Sequence, residues 1–492
     1  MKGWFKTLYK LDQNKTPIFD SLMKYVNNNT VPFHVPGHKK GIGIPEEFKN
    51  FIGENAFKID VTVFKSVDSL HHPTSSIKKA EELVADAYNS DYSFFCINGT
   101  TIAIQAMIMS AVSSGDKILI PRNVHKSITA GIILSGAIPV YMNPDIDEFL
   151  SISHGIPFNT VKKSLENNPD VKAVLLINPT YYGVSTDIKK IASLVHSYNI
   201  PLLIDEAHGP HLIFNNKLPI CAMDAGADIC AQSTHKITSS LTQGSFLHVK
   251  SKYIEPSKVR QNLNLLQTTS PSYIILASLD CTRKQLVFNG KELLDKSIEL
   301  ANYAREEINK IDSLYCFGEE LKNDGGFFTF DPTKITINCR KLGISGYELE
   351  KRLASKYKIQ LEMADAYNAL AAGSFGDTKE SIDKLITALK DIRANTEKKD
   401  TNKFNITIPE IPKQVYSPRK AFQSNKKSIP LKKSVDQISA EFLLAYPPGI
   451  PVLCPGEIIT QEIVDYIEYI KSIGLFVQGT EDPKIENIKI ID

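Results

Sequence analysis

At 492 residues the chain is too long for a single hydrophobic core, so two or three domains are expected. Its 57 basic and 55 acidic side chains leave a formal charge of +2, which gives no pull toward nucleic acid or a membrane surface, and 42% hydrophobic content is that of a globular protein. Seven cysteines scattered without a CxxC pair argue against a disulfide framework or a zinc site, and for reduced thiols in a cytoplasmic protein.

The N-terminal "MKGWFKTLYKLDQNKTP" has no apolar core of the kind a signal peptide needs, and no apolar run reaches the roughly 20 residues of a membrane helix. "VPFHVPGHKKGIGIP" is too rich in Pro, Gly and His for regular structure, yet carries reactive side-chain types. From residue 77 an alternation begins. "IKKAEELVADAYN" predicts a helix, "DYSFFCIN" a strand, and "GTTIAIQAMIMSAV" a helix. Strands follow at "GDKILIP", "AIPVYMN", "VKAVLLINP" and "IPLLIDEAHG", with helices at "HKSITAGIILSG" and "TDIKKIASLVHSYN" between them. "GADICAQSTHK" and "GSFLHVK" predict the last two strands. Short apolar strands alternating with helices indicate a mostly parallel sheet covered on both faces, with ligands beyond the strand ends.

Residues 255–320 look mainly helical. "GFFTFDPTKITINC", "SGYELEKRLASKY", "IQLEMAD" and "DTKESIDKLITALKDI" then suggest a small α+β domain. "NTEKKDTNKF" looks like a linker, and composition alone makes residues 413–434 flexible. A compact ending follows, "YPPGIPVLCPGEIITQEIVDYIEYIKSIG". The expected division is an N-terminal arm (1–55), a large domain (56–300), a small α+β domain (301–395), and a linker with a C-terminal domain (396–492).

Four predicted strand ends carry polar residues of unusual type. Thr100 and Thr101 open a helix, where free N–H groups and the helix dipole favour an anion; helix capping is the plainer reading. His125 in "PRNVHKS" could stack on a planar ring or cap a helix. Asp205, Glu206, His208 and His211 follow an apolar strand, a carboxylate-histidine set open to a metal or to a protonated heterocycle. Lys236 in "STHK" could be a desolvated nucleophile or a surface lysine. An anion cradle, a stacking ring, a carboxylate at Asp205 and a lysine about 30 residues on together meet the needs of pyridoxal 5'-phosphate, whereas a metal leaves Thr100, Thr101, Ser233 and Lys236 unused.

The segments "FHVPGHKKG", "DVTVFKSVDSLHHP", "NGTT", "RNVHKS", "PLLIDEAHGPH", "QSTHK", "YPPGIPVLCPGEIIT" and "VQGTEDP" run over almost the whole chain. In them the chain resembles the Orn/Lys/Arg decarboxylases of pyridoxal-phosphate fold type I, most of all the short bacterial arginine decarboxylases. The resemblance implies an aminotransferase-like α/β large domain with a mostly parallel seven-stranded sheet, plus small α+β and C-terminal domains. It implies that Lys236 carries the cofactor as a Schiff base, that Asp205 pairs with the pyridine nitrogen, and that His125 stacks on the ring. By the same resemblance Thr100, Thr101 and Ser233 bind phosphate, His208 lines the pocket, and His235 assists proton transfer. The implied reaction is decarboxylation of a basic amino acid. L-Arginine to agmatine, for polyamine biosynthesis, comes first; lysine, ornithine or a repurposed reaction is the alternative. Asp68 or Glu457 would hold the distal cation, Glu457 being equally readable as a helix cap. A homodimer or larger homo-oligomer with interface active sites is implied, with no metal, nucleic acid or membrane partner. The resemblance also orders residues 416–445. Val63 and Ser69 stand where the family usually has acidic residues, which bears on the substrate.

Overall fold

The structure is a computed structural model describing residues 9–323, 325–397, 409–446, 450–472 and 476–492. The linker expected at "NTEKKDTNKF" lies mostly outside the described residues, as do Pro447–Gly449 of "YPPGIP".

Seven strands form the large sheet: β1 (Tyr92–Cys96), β2 (Lys117–Pro121), β3 (Ile138–Met142), β4 (Val171–Ile177), β5 (Leu202–Asp205), β6 (Ile229–Gln232) and β7 (Ser245–Val249), in the order β1-β7-β6-β5-β4-β2-β3. This is the mostly parallel α/β sheet expected; β7 alone runs antiparallel to both of its neighbours. The strands are almost continuously apolar and buried, as a sheet covered on both faces requires.

The chain divides into two compact units. The first comprises Met1–Ala111 and Val195–Asp295. It holds β1, β5, β6 and β7 with helices α1 (Ser76–Ala87) and α2 (Gly99–Ala111). β6 pairs in parallel with β5 and brings Ala231 beside Asp205. One prediction fails here in detail. "STHK" does not prolong the strand; β6 stops at Gln232 and a single helical turn, Thr234–Ile237, follows. Lys236 therefore projects from a turn held by the strand end.

The second unit comprises Val112–Leu194 and Lys296–Asp492. It holds β2, β3, β4 and helix α3 (Lys126–Ser135). A four-stranded antiparallel sheet centres on Lys334–Asn338 and Asn368–Ala372 and packs with helices Gly346–Tyr357 and Lys379–Ala394 around one core, the α+β element expected. "IQLEMAD" yields only a two-residue strand, Met363–Ala364; the longer partner, Asn368–Ala372, was not foreseen because "NALAA" lacks β-branched residues. Residues 416–445, which the resemblance orders, hold a helix at Pro418–Gln423, a strand at Lys426–Pro430 paired to Asn487–Ile491, and most of a strand at Leu443–Tyr446.

Candidate active site

In the first unit, burial and pairing gather five of the expected residues. Asp205, the last residue of β5, is 4% exposed and accepts the Ala207 N–H at 3.1 Å. Burial pushes its carboxyl above the usual range, while the Lys236 cation pulls it back down. Lys236 Nζ stands 2.8 Å from His208 Nε2. His208 itself is buried. The Lys236 amine thus pairs with a buried imidazole and lies within the field of a buried carboxylate, surroundings that a solvated surface lysine lacks.

Thr100 and Ser233 meet, Oγ1 to Oγ, at 2.5 Å, although 133 residues separate them. Thr100 Oγ1 also lies 2.8 Å from Ser245 Oγ, which donates to the Gln232 carbonyl at 2.6 Å. Each hydroxyl has one proton, so the donors must run one way: Ser233 to Thr100, Thr100 to Ser245, Ser245 to Gln232. Only Ser233 can turn its proton to an incoming anion without breaking the chain at Ser245. The cluster lies at the N-terminus of α2, whose first turn has no acidic residue and begins at Gly99 with φ +75°. Free N–H groups and the dipole of this 13-residue helix favour an anion there. Thr101, by contrast, is exposed.

His235 Nδ1 lies 2.9 Å from the Gly244 carbonyl, which can only accept, so the ring carries its proton on Nδ1 and leaves Nε2 as the exchanging atom. Among the described residues no group of three or more His, Cys, Asp or Glu is placed to share a metal ion.

Behind Asp205 runs a second buried chain that the sequence did not disclose. Ser90, Ser93, His248 Nδ1, His248 Nε2, Gln232 and Glu206 connect by hydrogen bonds of 2.8, 2.7, 3.1 and 2.7 Å. Glu206 is fully buried and also accepts the Ala222 N–H at 2.7 Å, which braces the residue next to Asp205. The signal was present as strand alternation, since His248 and Ser93 are directly paired across β7 and β1.

In the second unit His125 is the N-cap of α3. Its Nδ1 accepts the Ser127 N–H at 3.2 Å and lies 2.8 Å from Ser127 Oγ, so the neutral ring carries its proton on Nε2. His125 lines a cavity of about 630 Å³ together with Asn123, Thr180, Tyr181 and Pro451.

The two carboxylates expected near the distal cation both have partners within the chain. Asp68, expected to hold a distal cation, is 5% exposed and has φ +72°. Its carboxylate accepts the N–H groups of Ser69, Thr74, Ser75 and Ile77 at 2.8–3.3 Å, so both oxygens are saturated in folding the entry to α1. Glu457, expected to hold the same cation or cap a helix, is fully buried and bidentate to Arg122 at 2.6 and 2.8 Å. Arg122 lies in "PRNVHKS", where no local sequence signal marks it as the partner of a residue 335 positions away.

The family description "Orn/Lys/Arg decarboxylase, major domain" matches residues 16–381, and "Orn/Lys/Arg decarboxylase, C-terminal domain" matches residues 401–480. An arginine decarboxylase of Bacillus anthracis is 46% identical over 486 residues, covering 98% of this chain and 99% of that protein. An arginine decarboxylase of Bacillus subtilis is 44% identical over 483 residues, covering 98% and 99%. Among solved structures, a lysine decarboxylase of Francisella novicida superposes with a TM-score of 0.84 at 26% identity, covering 97% of this chain and 81% of that one.

Proposed function

Because the chain belongs to the Orn/Lys/Arg decarboxylase family, whose members are fold-type-I, pyridoxal 5'-phosphate-dependent carboxy-lyases, we propose that it converts L-arginine to agmatine and CO₂. The choice of arginine rests on the full-length similarity to proteins named arginine decarboxylase, 44–46% identical. The observation that carries the site is the Lys236 amine, 2.8 Å from His208 and in the field of buried Asp205.

The residues fit the cofactor: an amine for its aldehyde, a carboxylate for its ring nitrogen, and an anion cradle for its phosphate. When bound, pyridoxal phosphate supplies an electron sink for the pair left at Cα as CO₂ departs. Asp205 would hold the proton on the ring nitrogen. Ser233 would turn its hydroxyl to the phosphate, and the α2 N-terminus would add N–H donors. Lys236 would give the attachment amine, with His208 Nε2 as its hydrogen-bond partner. His235, whose Nδ1 is engaged by the Gly244 carbonyl, would return a proton to Cα from Nε2. By the resemblance His125, its orientation held by Ser127, would cover the ring face.

A homodimer in the cytoplasm completes the reading. It is supported by the apolar side chains of the segment 31–52, where Phe33 is 94% exposed, Phe51 86% and Ile42 84%; a second copy would cover them. All seven cysteines are free thiols, and no described helix is long and apolar enough to cross a membrane. The chain is read as an N-terminal arm (1–55), a large domain (56–300), a small α+β domain (301–395) and a linker with a C-terminal domain (396–492).

The test is incubation of cofactor-loaded protein with arginine, lysine and ornithine separately, measuring CO₂ and product amine. Agmatine and CO₂ from arginine at the highest kcat/KM is the expected result. A higher value for lysine or ornithine would replace the substrate, and no CO₂ from any of the three would overturn the reaction.

A further inference from the structure

A buried ion pair seldom outperforms well-packed apolar side chains in stability, so one placed beside a site calls for another role. Arg122 immediately follows β2 and is 2% exposed; Glu457 is 0% exposed. Every edge of the guanidinium is used. Its Nε donates to the Pro451 carbonyl at 2.7 Å, its two terminal nitrogens donate to Glu457 at 2.6 and 2.8 Å, and its face lies 4.5 Å from the Tyr141 ring centroid. The Arg122 N–H donates to the Met142 carbonyl at 2.8 Å. Glu457 is held in turn: Oε2 accepts the Cys454 N–H at 2.7 Å, and its carbonyl accepts the Ser439 N–H at 2.8 Å. A fork clamped this way has one geometry.

Three residues after Arg122 stands His125, whose ring is tied to Ser127 of α3. The short loop between them is therefore pinned at both ends. Asn123, Val124 and His125 of that loop line the 630 Å³ cavity, and so does Pro451, whose carbonyl Arg122 grips. One ion pair thus sets two walls of one cavity.

We propose that Glu457 is a positioning residue which, through Arg122, sets the ring of His125 and the Pro451 wall against it. The inference rests on the reading of His125 as the residue that covers the cofactor ring. Glu457 touches neither substrate nor cofactor in this scheme; it acts at one remove.

The test uses the holoenzyme and the variant Glu457→Asp, which keeps the charge but shortens the side chain by one methylene, so that it cannot reach Arg122 in the same fork. Arg122→Lys, which keeps the charge and loses the fork, is read the same way and takes its place if the first variant does not fold. The readouts are the visible circular dichroism of the bound cofactor, kcat and KM separately, and the melting temperature. The expected result is a changed dichroism band and a kcat lowered about tenfold, with KM moved less than threefold. The same substitution in a His125→Ala background should then cost little further, because both act on one element. Equal losses in the two backgrounds, or a lower melting temperature with dichroism and kcat unchanged, would overturn the positioning role. If the wild type releases no CO₂, the reaction assigned above fails, and the response of the dichroism band still decides the role of Glu457.

Discussion

The ε-amine of Lys236 lies 2.8 Å from Nε2 of His208, although 28 residues separate them. The pair is closed by the backbone: β5 and β6 run side by side, Asp205 opposite Ala231, so the segments beyond both strand ends meet. A lysine in that position is defined by its surroundings, chiefly the imidazole partner and the Asp205 charge.

Replacing that amine removes the attachment point. Lys236→Ala is expected to lose the visible absorption band of a cofactor Schiff base and at least about three orders of magnitude in kcat, as loss of a covalent or acid–base group does. Absorption spectra after gel filtration, with single-turnover CO₂ release, check it. A variant that kept both the band and the rate would remove Lys236 from the site.

The one-way run of hydroxyl protons separates two neighbours that look alike. Ser233→Ala is expected to weaken cofactor binding by roughly 1.5–3 kcal/mol, about ten- to a hundredfold, as for a hydrogen bond to a charged group. Thr100→Val should cost less, because its proton already serves Ser245. Equilibrium dialysis of both variants compares them, and a larger loss for Thr100→Val would reverse the assignment.

Asp68 gives a prediction that distinguishes folding from substrate binding. Asp68→Asn tolerates the positive φ but turns an amide toward backbone donors, so a loss of about 1–3 kcal/mol in stability is expected with KM little changed. The four N–H donors hold the carboxyl below its usual range against the opposing effect of burial. Its contribution is therefore present above the ordinary carboxylate pKa and lost as the pH falls through the folded value. Urea unfolding and substrate kinetics on the same variant read the two effects. A large rise in KM at unchanged stability would restore the cation-binding role.

Buried His248 is expected to make the first unit acid-sensitive. Burial holds its imidazole down to about 3, below the ordinary 6.5, so it is neutral in the fold. Stability is thus full above 6.5 and is lost as the pH falls toward 3, by about 2 kcal/mol between pH 7 and pH 5. Glu206, on the same chain, is pushed up to about 8 by burial and has the opposite sign: its contribution is present below 4.5 and lost as the pH rises through 8. Unfolding of the wild type and His248→Gln at pH 7 and pH 5 isolates the histidine. An equal pH dependence in both proteins would show that His248 does not set it.

Much of this was open to sequence reading because it is local. Short apolar strands between helices specify the sheet, and chemistry at such strand ends is visible as motifs, as at Asp205 and Lys236. "STHK" reads as strand in the sequence because a one-turn helix is shorter than any pattern periodicity can register. Asn368–Ala372 was missed because its small residues form a strand through pairing with Lys334–Asn338 and have little preference of their own.

The carboxylates mark the boundary. From the sequence, Asp68 and Glu457 were two acids near family motifs, each free to meet a cation. What an acid does when folded depends on which donors reach it, and those are set by distant chain segments: Arg122 lies 335 residues before Glu457. The sequence by itself determined the sheet, the strand-end position of Asp205, and Lys236 with its flanking Ser233. Only the tertiary structure decided that Asp68 is consumed by a loop, that Glu457 is spent on Arg122, and which hydroxyl proton remains to be turned. Local pattern encodes where a side chain can stand, whereas burial and long-range pairing decide whether its charge or proton is still available.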